Sequence, residues 1–521
     1  METCNTYNCN LDRYKNEEHC ILHCKKNDYS TDFHNVGFLS LFYDKLIEDI
    51  VNRLFKHNEL LGDNLDKETI LTYLKNDDLD DNIINAVLVK SIIIPTHIIF
   101  PERDGRDNFD YLRILNLFGR IHFNYCSFYT SYLELDKTQC FFQDCKFYTY
   151  WTIYNYDILK NVNNVIYQQC EFFDTISGYH SGDNEKYSIY NNTQFHACIF
   201  HKKLTFENAH FLNMLFDNGA FSSNITILDI KECIFDGKFV LNNHIIENFL
   251  CEHSIFNEKF EFRENKIQEF KINDCNFYKI AYFYNSEFKE FTIFKSIFEK
   301  FIGFELCEFG LSEGRLQDSV VANFKYVTFL DFINFRKIKF HNGLDIENTN
   351  IKDSPNFLDI YVDFTNTNRE TFRIIKNSFD KNGDYIEGNK FFSLEMKKYK
   401  EELKNKSWKN HFQEKIVFSI NEKISNFGQN YFKSIGWILF FIVLYNFINM
   451  GYQENYLYKI YEPLNPYLNN ISNFFNDGVK TIKPLQKILK DGIEFISLIF
   501  YIIFSILIWQ TVVALKRHTK R

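Results

Sequence analysis

Residues 233–298 read CIFDGKFVLNNHIIENFLCEHSIFNEKFEFRENKIQEFKINDCNFYKIAYFYNSEFKEFTIFKSIF, and Phe235, Phe256, Phe277 and Phe298 recur in them every 21 residues. Two residues ahead of each Phe stands a small side chain: Cys233, Ser254, Cys275 and Ser296. The pair recurs on both sides of this stretch. Cys126 precedes Phe128, Cys140 precedes Phe142, Cys145 precedes Phe147, Cys170 precedes Phe172, Cys198 precedes Phe200 and Cys307 precedes Phe309. Ala209 before Phe211 and Ser286 before Phe288 fill the same place. The shared property is small volume rather than thiol chemistry, so these Cys and Phe are expected in a repeated core.

A shorter step lies under the long one. Phe118, Phe123, Phe128 and Leu133 step by five, and so do Phe206, Phe211, Phe216 and Phe221. Along a straight strand an odd step sends successive Phe to opposite faces. On a helix, five steps of about 100° leave an offset of about 140°, so no stripe forms. The step works when the chain turns a corner between one Phe and the next. Four such sides close a coil of about twenty residues, with each Phe stacked on the Phe one coil away. The alternative is an irregular all-β domain with Phe-rich strands.

These residues resemble the pentapeptide-repeat family, whose five-residue units centre on Leu or Phe with a small residue two before it. The resemblance covers roughly residues 116–350 and implies a right-handed quadrilateral β-helix. In particular the chain is similar to the membrane-anchored bacterial members with two C-terminal transmembrane helices. Residues 150–165 and 177–192 interrupt the spacing and read as loops. The span would give about twelve coils, a rod of about 55 Å at the spacing of neighbouring strands. The expected fold class is therefore mainly β solenoid, with helical flanks and a C-terminal two-helix transmembrane hairpin.

Composition agrees with a repeat. The 521 residues include 59 Phe and 32 Tyr but 6 Pro and 4 Met, a demand for Phe that one ordinary core does not make. A net charge of −9, with 59 basic and 68 acidic side chains well mixed, offers no basic face, and no nucleic-acid partner is expected. No basic segment followed by an apolar run opens the chain, so its bulk is expected in the cytosol, where thirteen Cys would be thiols or metal ligands.

Two C-terminal stretches lack charge: Ser434–Met450 with 17 residues and Phe495–Leu515 with 21. As helices they reach roughly 26 and 31 Å, against about 30 Å of hydrocarbon. Membrane lipid is thus an expected partner. Lys516, Arg517, Lys520 and Arg521 follow the second stretch, and nine Lys lie between Lys397 and Lys433. This charge placement puts both chain ends on the cytosolic side, although the connecting loop carries five Lys of its own, and the resemblance implies a bacterial inner membrane. The expected organisation is a Cys-rich segment (1–30), a helical entry (31–115), the β-helix (116–350), a helical connector (355–430) and the hairpin with its basic tail (431–521).

Cys4, Cys9, Cys20 and Cys24 fall within 21 residues, with His19 and His23 between them. Four thiolates satisfy tetrahedral zinc, and so polar a segment is not expected to fold unaided. The alternative is free thiols in a flexible tail. In the connector, Arg373, Lys376, Asn389 and Glu395 are placed by the resemblance in a polar network between two helices, read either as a functional site or as structural docking. Trp408, Phe412, Ile416, Ile420 and Ile424 step by four, a stripe for an anionic leaflet or for the open end of the solenoid.

No catalytic constellation stands out, and no enzyme is expected. The expected function is a membrane-anchored repeat scaffold presenting its β-helix to an unknown protein partner. The alternative is a channel or transport component formed when the hairpin homo-oligomerises, with Asn446, Asn449, Gln510 and Thr511 as its polar groups.

Overall fold

The structure, a computed structural model, describes residues 3–6, 9–26, 36–57, 65–76, 79, 81–102, 110–135, 138–159, 164–179, 187–217, 223–310, 320–453, 465–480 and 489–519. Phe221, Lys520 and Arg521 lie outside them. The chain forms two compact units, 1–366 and 367–521.

The first unit is a parallel β-solenoid of about ten turns at residues 120–362, entered through helices Val36–His57, Lys67–Lys75 and Asn82–Lys90. One central coil shows the construction. Strand Ile245–Glu252 is followed by Ile255–Phe256 and Phe260–Arg263, and then Lys266–Asn273 lies directly on Ile245–Glu252. The ladder between the two long strands skips Glu247 and Gln268, where both strands bend, so each coil has four short sides. Register carries Phe on Phe, as Phe249 on Phe270, Phe256 on Phe277 and Phe262 on Phe283, though Phe260 lies on Ala281.

Those registers build continuous ring stacks. Phe235, Phe256, Phe277 and Phe298 stack with centroids 4.8, 4.7 and 4.5 Å apart and planes within 9° of parallel. Phe128, Phe147 and Phe172 form a second stack at 5.0 and 4.5 Å. Phe288, Phe309 and Phe340 form a third at 5.0 and 4.8 Å. Rings from adjacent sides meet edge to face, as Phe256 and Phe260 do at 5.0 Å. Every one of these rings is buried. Burial of a Phe contributes about 1.5–3 kcal/mol and a ring pair about 0.5–1.5 kcal/mol more.

The small residue two before each Phe has a second role beyond its size. Most occupy a corner, Cys140 within strand Gln139–Gln143 being an exception, and the residue just before takes a left-handed backbone: Tyr125, Asp144, Gln169, Glu232, His253, Asp274, Lys295 and Leu306 all have φ between 49° and 60°. None is Gly, so each corner costs about 1 kcal/mol or more unless the surroundings hold it. They do. The N–H of each such residue donates to the carbonyl just before its counterpart in the next coil, as His253 does to Asn273 and Asp274 to Phe294. The small side chain then satisfies interior backbone groups. Ser254 Oγ accepts from Cys233 N–H, and Ser296 Oγ accepts from Cys275 N–H, both at 3.1 Å. Cys145, Cys170, Cys233, Cys275 and Cys307 donate their thiols to carbonyls of the preceding coil.

The turns number about ten, not twelve, and run to Tyr361–Val362 rather than to 350. Coil length is the reason. Phe128 pairs with Phe147 nineteen residues on, but Phe172 pairs with Phe200 and Phe298 with Phe329, so some coils take up many more residues than others. The intervals read as loops also hold strands, Trp151–Ile153 and Ile176–Gly178 among them, because Trp151 packs on Phe147 at 4.4 Å.

The second unit is helical. Arg369–Lys381, capped by Asn368, and Tyr385–Lys404, capped by Asp384, turn about Gly383 at φ +79°. Helix Trp408–Ser425 bends at His411. Two helices are long and apolar enough to cross a membrane: Tyr431–Tyr452, with mean hydropathy 1.6, and Glu494–Arg517, with 2.4. The first begins at Tyr431, so it exceeds the 17-residue stretch without charge. They pack through Tyr445, whose hydroxyl lies 2.9 Å from Ser497 Oγ and whose ring lies against Phe500. Phe440, Val443, Phe447, Ile508 and Trp509 stay exposed.

The corner geometry makes a direct prediction. Cys275→Ser should leave stability nearly unchanged, because Ser already serves at Ser254 and Ser296. Cys275→Leu should cost about 1–3 kcal/mol by overpacking, read as a lower midpoint in denaturant unfolding of the detergent-solubilised chain.

Candidate metal centre

The N-terminal segment folds around a short loop and a tight turn. Thr3 bridges Asp12, and Cys4 N–H donates to Leu11 O at 2.9 Å, which brings Cys4 and Cys9 onto one loop. Further on, His23 N–H and Cys24 N–H both donate to Cys20 O, at 3.0 and 2.8 Å. That turn aims the His23 ring back over Cys20.

The donor atoms of Cys4, Cys9, Cys20 and His23 all lie within 4.8 Å of one another, and the four could hold a metal ion. Cys9 Sγ is 3.7 Å from Cys20 Sγ. His23 Nδ1 is 3.2 Å from Cys20 Sγ and 3.5 Å from Cys4 Sγ. A tetrahedral ion with metal–sulfur bonds of about 2.3 Å and a metal–nitrogen bond of about 2.0 Å has edges of about 3.8 Å between sulfurs and about 3.5 Å from sulfur to nitrogen. The Cys9–Cys20 and Cys4–His23 edges match those lengths, and the Cys20–His23 edge is about 0.3 Å shorter. Cys20 N–H also donates to Cys4 Sγ at 3.1 Å, a bond that favours the thiolate.

Cys24 is not the fourth member. The turn that carries His23 into the cluster carries Cys24 to the other side, where it is fully buried. Its thiol donates to Ile21 O at 3.6 Å and lies 3.6 Å from Lys26 Nζ. The overlooked signal was spacing: two residues separate Cys20 from His23, the tight interval that lets one turn supply two ligands. His19 stands outside the cluster, with Nδ1 3.1 Å from Thr6 Oγ1 and 4.0 Å from Cys4 Sγ.

The electrostatics suit cation binding. Burial, aided by the Lys26 charge, holds His23 down to about 4, which keeps its ring neutral and able to ligate. Burial alone would raise the Cys4 thiol, but hydrogen bonds from Thr6 and from Cys20 N–H outweigh it and lower Cys4 to about 6. Burial raises Cys9 and Cys20, which a cation would reverse. Burial also lowers Lys26 to about 8, and its ammonium donates to Ile21 O and Cys24 O, each at 2.8 Å.

The connector residues only partly converge. Glu395 is buried between the two helices, with Lys376, Arg369 and Arg373 near enough to favour its charge; burial outweighs them and raises its carboxyl. Arg373 itself pairs with Glu370 at 2.6 Å, and Lys376 with Asp380 at 3.2 Å. Asn389 turns away: its amide donates to Arg517 O at 2.7 Å and its carbonyl accepts from Gln429 at 2.5 Å. Gln510, expected as a pore or helix contact, donates to Asn421 Oδ1 at 2.5 Å. The network thus ties the connector helices to the last helix of their own unit.

No protein-family model matches the chain, and no curated protein or solved structure matches it.

His23→Ala should abolish stoichiometric metal in the purified chain, whereas Cys24→Ser should retain one ion per chain by elemental analysis. Glu395 carries a pH dependence of its own. Because its folded-state carboxyl is raised above the ordinary 4.5, stability is lost as pH rises through that folded value. Glu395→Gln should flatten that slope in thermal unfolding between acidic and neutral pH.

Proposed function

We propose that the protein is a membrane-anchored, non-enzymatic scaffold that presents its solenoid to a protein partner. One observation carries this reading: an aromatic ribbon on the outside of the coils. Tyr129, Tyr148, Phe173 and His201 follow the buried Phe128, Phe147, Phe172 and Phe200, and so point outward one coil apart. Their rings stack at 4.8, 4.9 and 5.0 Å, within 12° of parallel. Tyr148 is 36% exposed. Beside the ribbon, Glu171 holds Lys146 at 3.1 Å and His201 at 3.0 Å. Rigid aromatics held in line lose little entropy on binding and dominate protein interfaces. Repeat solenoids commonly use such extended faces.

Membership of the pentapeptide-repeat family is part of the reading, supported by the Cys–x–Phe spacing and the four-sided coil. The two apolar helices would form a hairpin in a bacterial inner membrane with both ends cytosolic, on the strength of Lys516 and Arg517 after the second helix. Trp408, Phe412, Ile416 and Ile420 stay exposed and would lie on the lipid surface. The ion on Cys4, Cys9, Cys20 and His23 would be zinc, which favours a closed tetrahedral set of three thiolates and one imidazole.

The double variant Tyr148→Ser, Phe173→Ser should keep the unfolding midpoint within about 1 kcal/mol of the parent and lose at least tenfold in partner capture from membranes. Unchanged capture removes the ribbon as the binding face. Chemical cross-linking in membranes tests the channel alternative, which requires a closed oligomer.

A further inference from the structure

We infer that the ion on Cys4, Cys9, Cys20 and His23 is a latch that folds residues 3–26 into a cap over the first edge of the solenoid, so that losing the ion uncaps that edge. The inference rests on the zinc reading above.

A solenoid has two ends, and each leaves backbone groups without a neighbouring coil. Here the entry strands are Ile92–Ile93 and Ile99–Phe100. Each is the outermost strand of its sheet, the first pairing with Arg120–Asn124 and the second with Ser127–Phe128. On its open side Ile99 N–H donates to Leu22 O at 2.9 Å. Leu22 is the residue immediately before the ligand His23, and it is completely buried, with Ile21 nearly so. The ligand and the edge-pairing residue therefore move together.

The cap is fastened on its other side to helix Val36–His57. Tyr14 packs edge to face on Phe38 at 5.6 Å, and Lys26 Nζ lies 5.3 Å above the Phe42 ring. Yet residues 3–20 of the cap have almost no core of their own; its buried apolar groups, Ile21 and Leu22, follow them. Among the described residues of 3–20, the buried side chains are Cys4 and Cys20, which are themselves ligands. An element so poor in apolar burial folds when an ion supplies the missing cross-links, and binding energy becomes folding energy. Arg53 holds the same entry from the helix side, with Nη1 3.0 Å from Ile94 O. It does not cover Ile99, so release of the ion would bare that strand edge and leave the body of the solenoid intact.

The test is hydrogen exchange on the full chain in detergent, zinc-loaded and then stripped with a high-affinity chelator, with elemental analysis of both samples. Stripping should speed exchange at the Ile99 amide by at least about tenfold, while amides of Phe249, Phe270 and Phe291 keep their protection. Zinc added back should restore the slow rate. His23→Ala should behave like the stripped chain, and Cys24→Ser like the loaded one. Loss of the ion with Ile99 still protected overturns the latch and leaves the zinc site standing. A chain that holds no zinc before or after titration overturns the site and the latch together.

Discussion

Parallel coils stack when inward side chains fill the space left by those of the next coil, most simply by repeating the same ring. That constraint governs the first unit. A ring of one shape repeated in register, as along Phe235, Phe256, Phe277 and Phe298, fills the interior. Because the side-chain period along a strand is two, a slip of one residue would turn every ring outward. The strands need no local propensity beyond this. Many are two residues long, shorter than any strand that stands alone, and exist because the coils on either side hold them.

The same constraint explains two unlike uses of cysteine. At the corners the chain reverses through a left-handed residue, and the next side chain must be small and able to pair with buried carbonyls. Cys and Ser both do this, which is why they interchange along the ladder. These thiols are buried and structural; burial above all, with neighbouring thiols adding to it, raises those of Cys145, Cys170 and Cys198 far from the thiolate. At the N-terminus the opposite holds. Cys4, Cys9 and Cys20 converge with His23 where little else packs, and hydrogen bonds pull Cys4 toward the thiolate. Residue type does not distinguish the two classes; neighbours do.

The second unit leaves apolar surface outward where the first buries it. Its two apolar helices pack on one another, Tyr445 against Ser497 and Phe500 among the contacts, yet leave broad Phe, Ile and Val faces outward. A soluble bundle would cover those faces. The polar groups gather at one end, where Asn389, Asn421, Gln429, Gln510 and Arg517 bond to one another's side chains and backbone. Arg517 stacks on Phe392 at 4.2 Å and donates to the Phe427 carbonyl. The lone buried acid of the connector, Glu395, sits among cations rather than in a network with Asn389.

By itself the sequence determined the solenoid, its inward residues and the two apolar helices, because periodic burial and uncharged length are one-dimensional signals. Cys126, Phe128, Cys145, Phe147, Cys170, Phe172, Cys307 and Phe309 are all buried where the spacing placed them. Only the tertiary structure decided the number of coils, since some coils take up many more residues than others without breaking the ring stack. It alone replaced Cys24 by His23, because a tight turn sends adjacent residues to opposite sides and composition cannot say which side holds the cluster. It alone placed Leu22 against Ile99, a pairing between distant segments that no local pattern encodes, and through it tied the Cys-rich segment to the solenoid's edge.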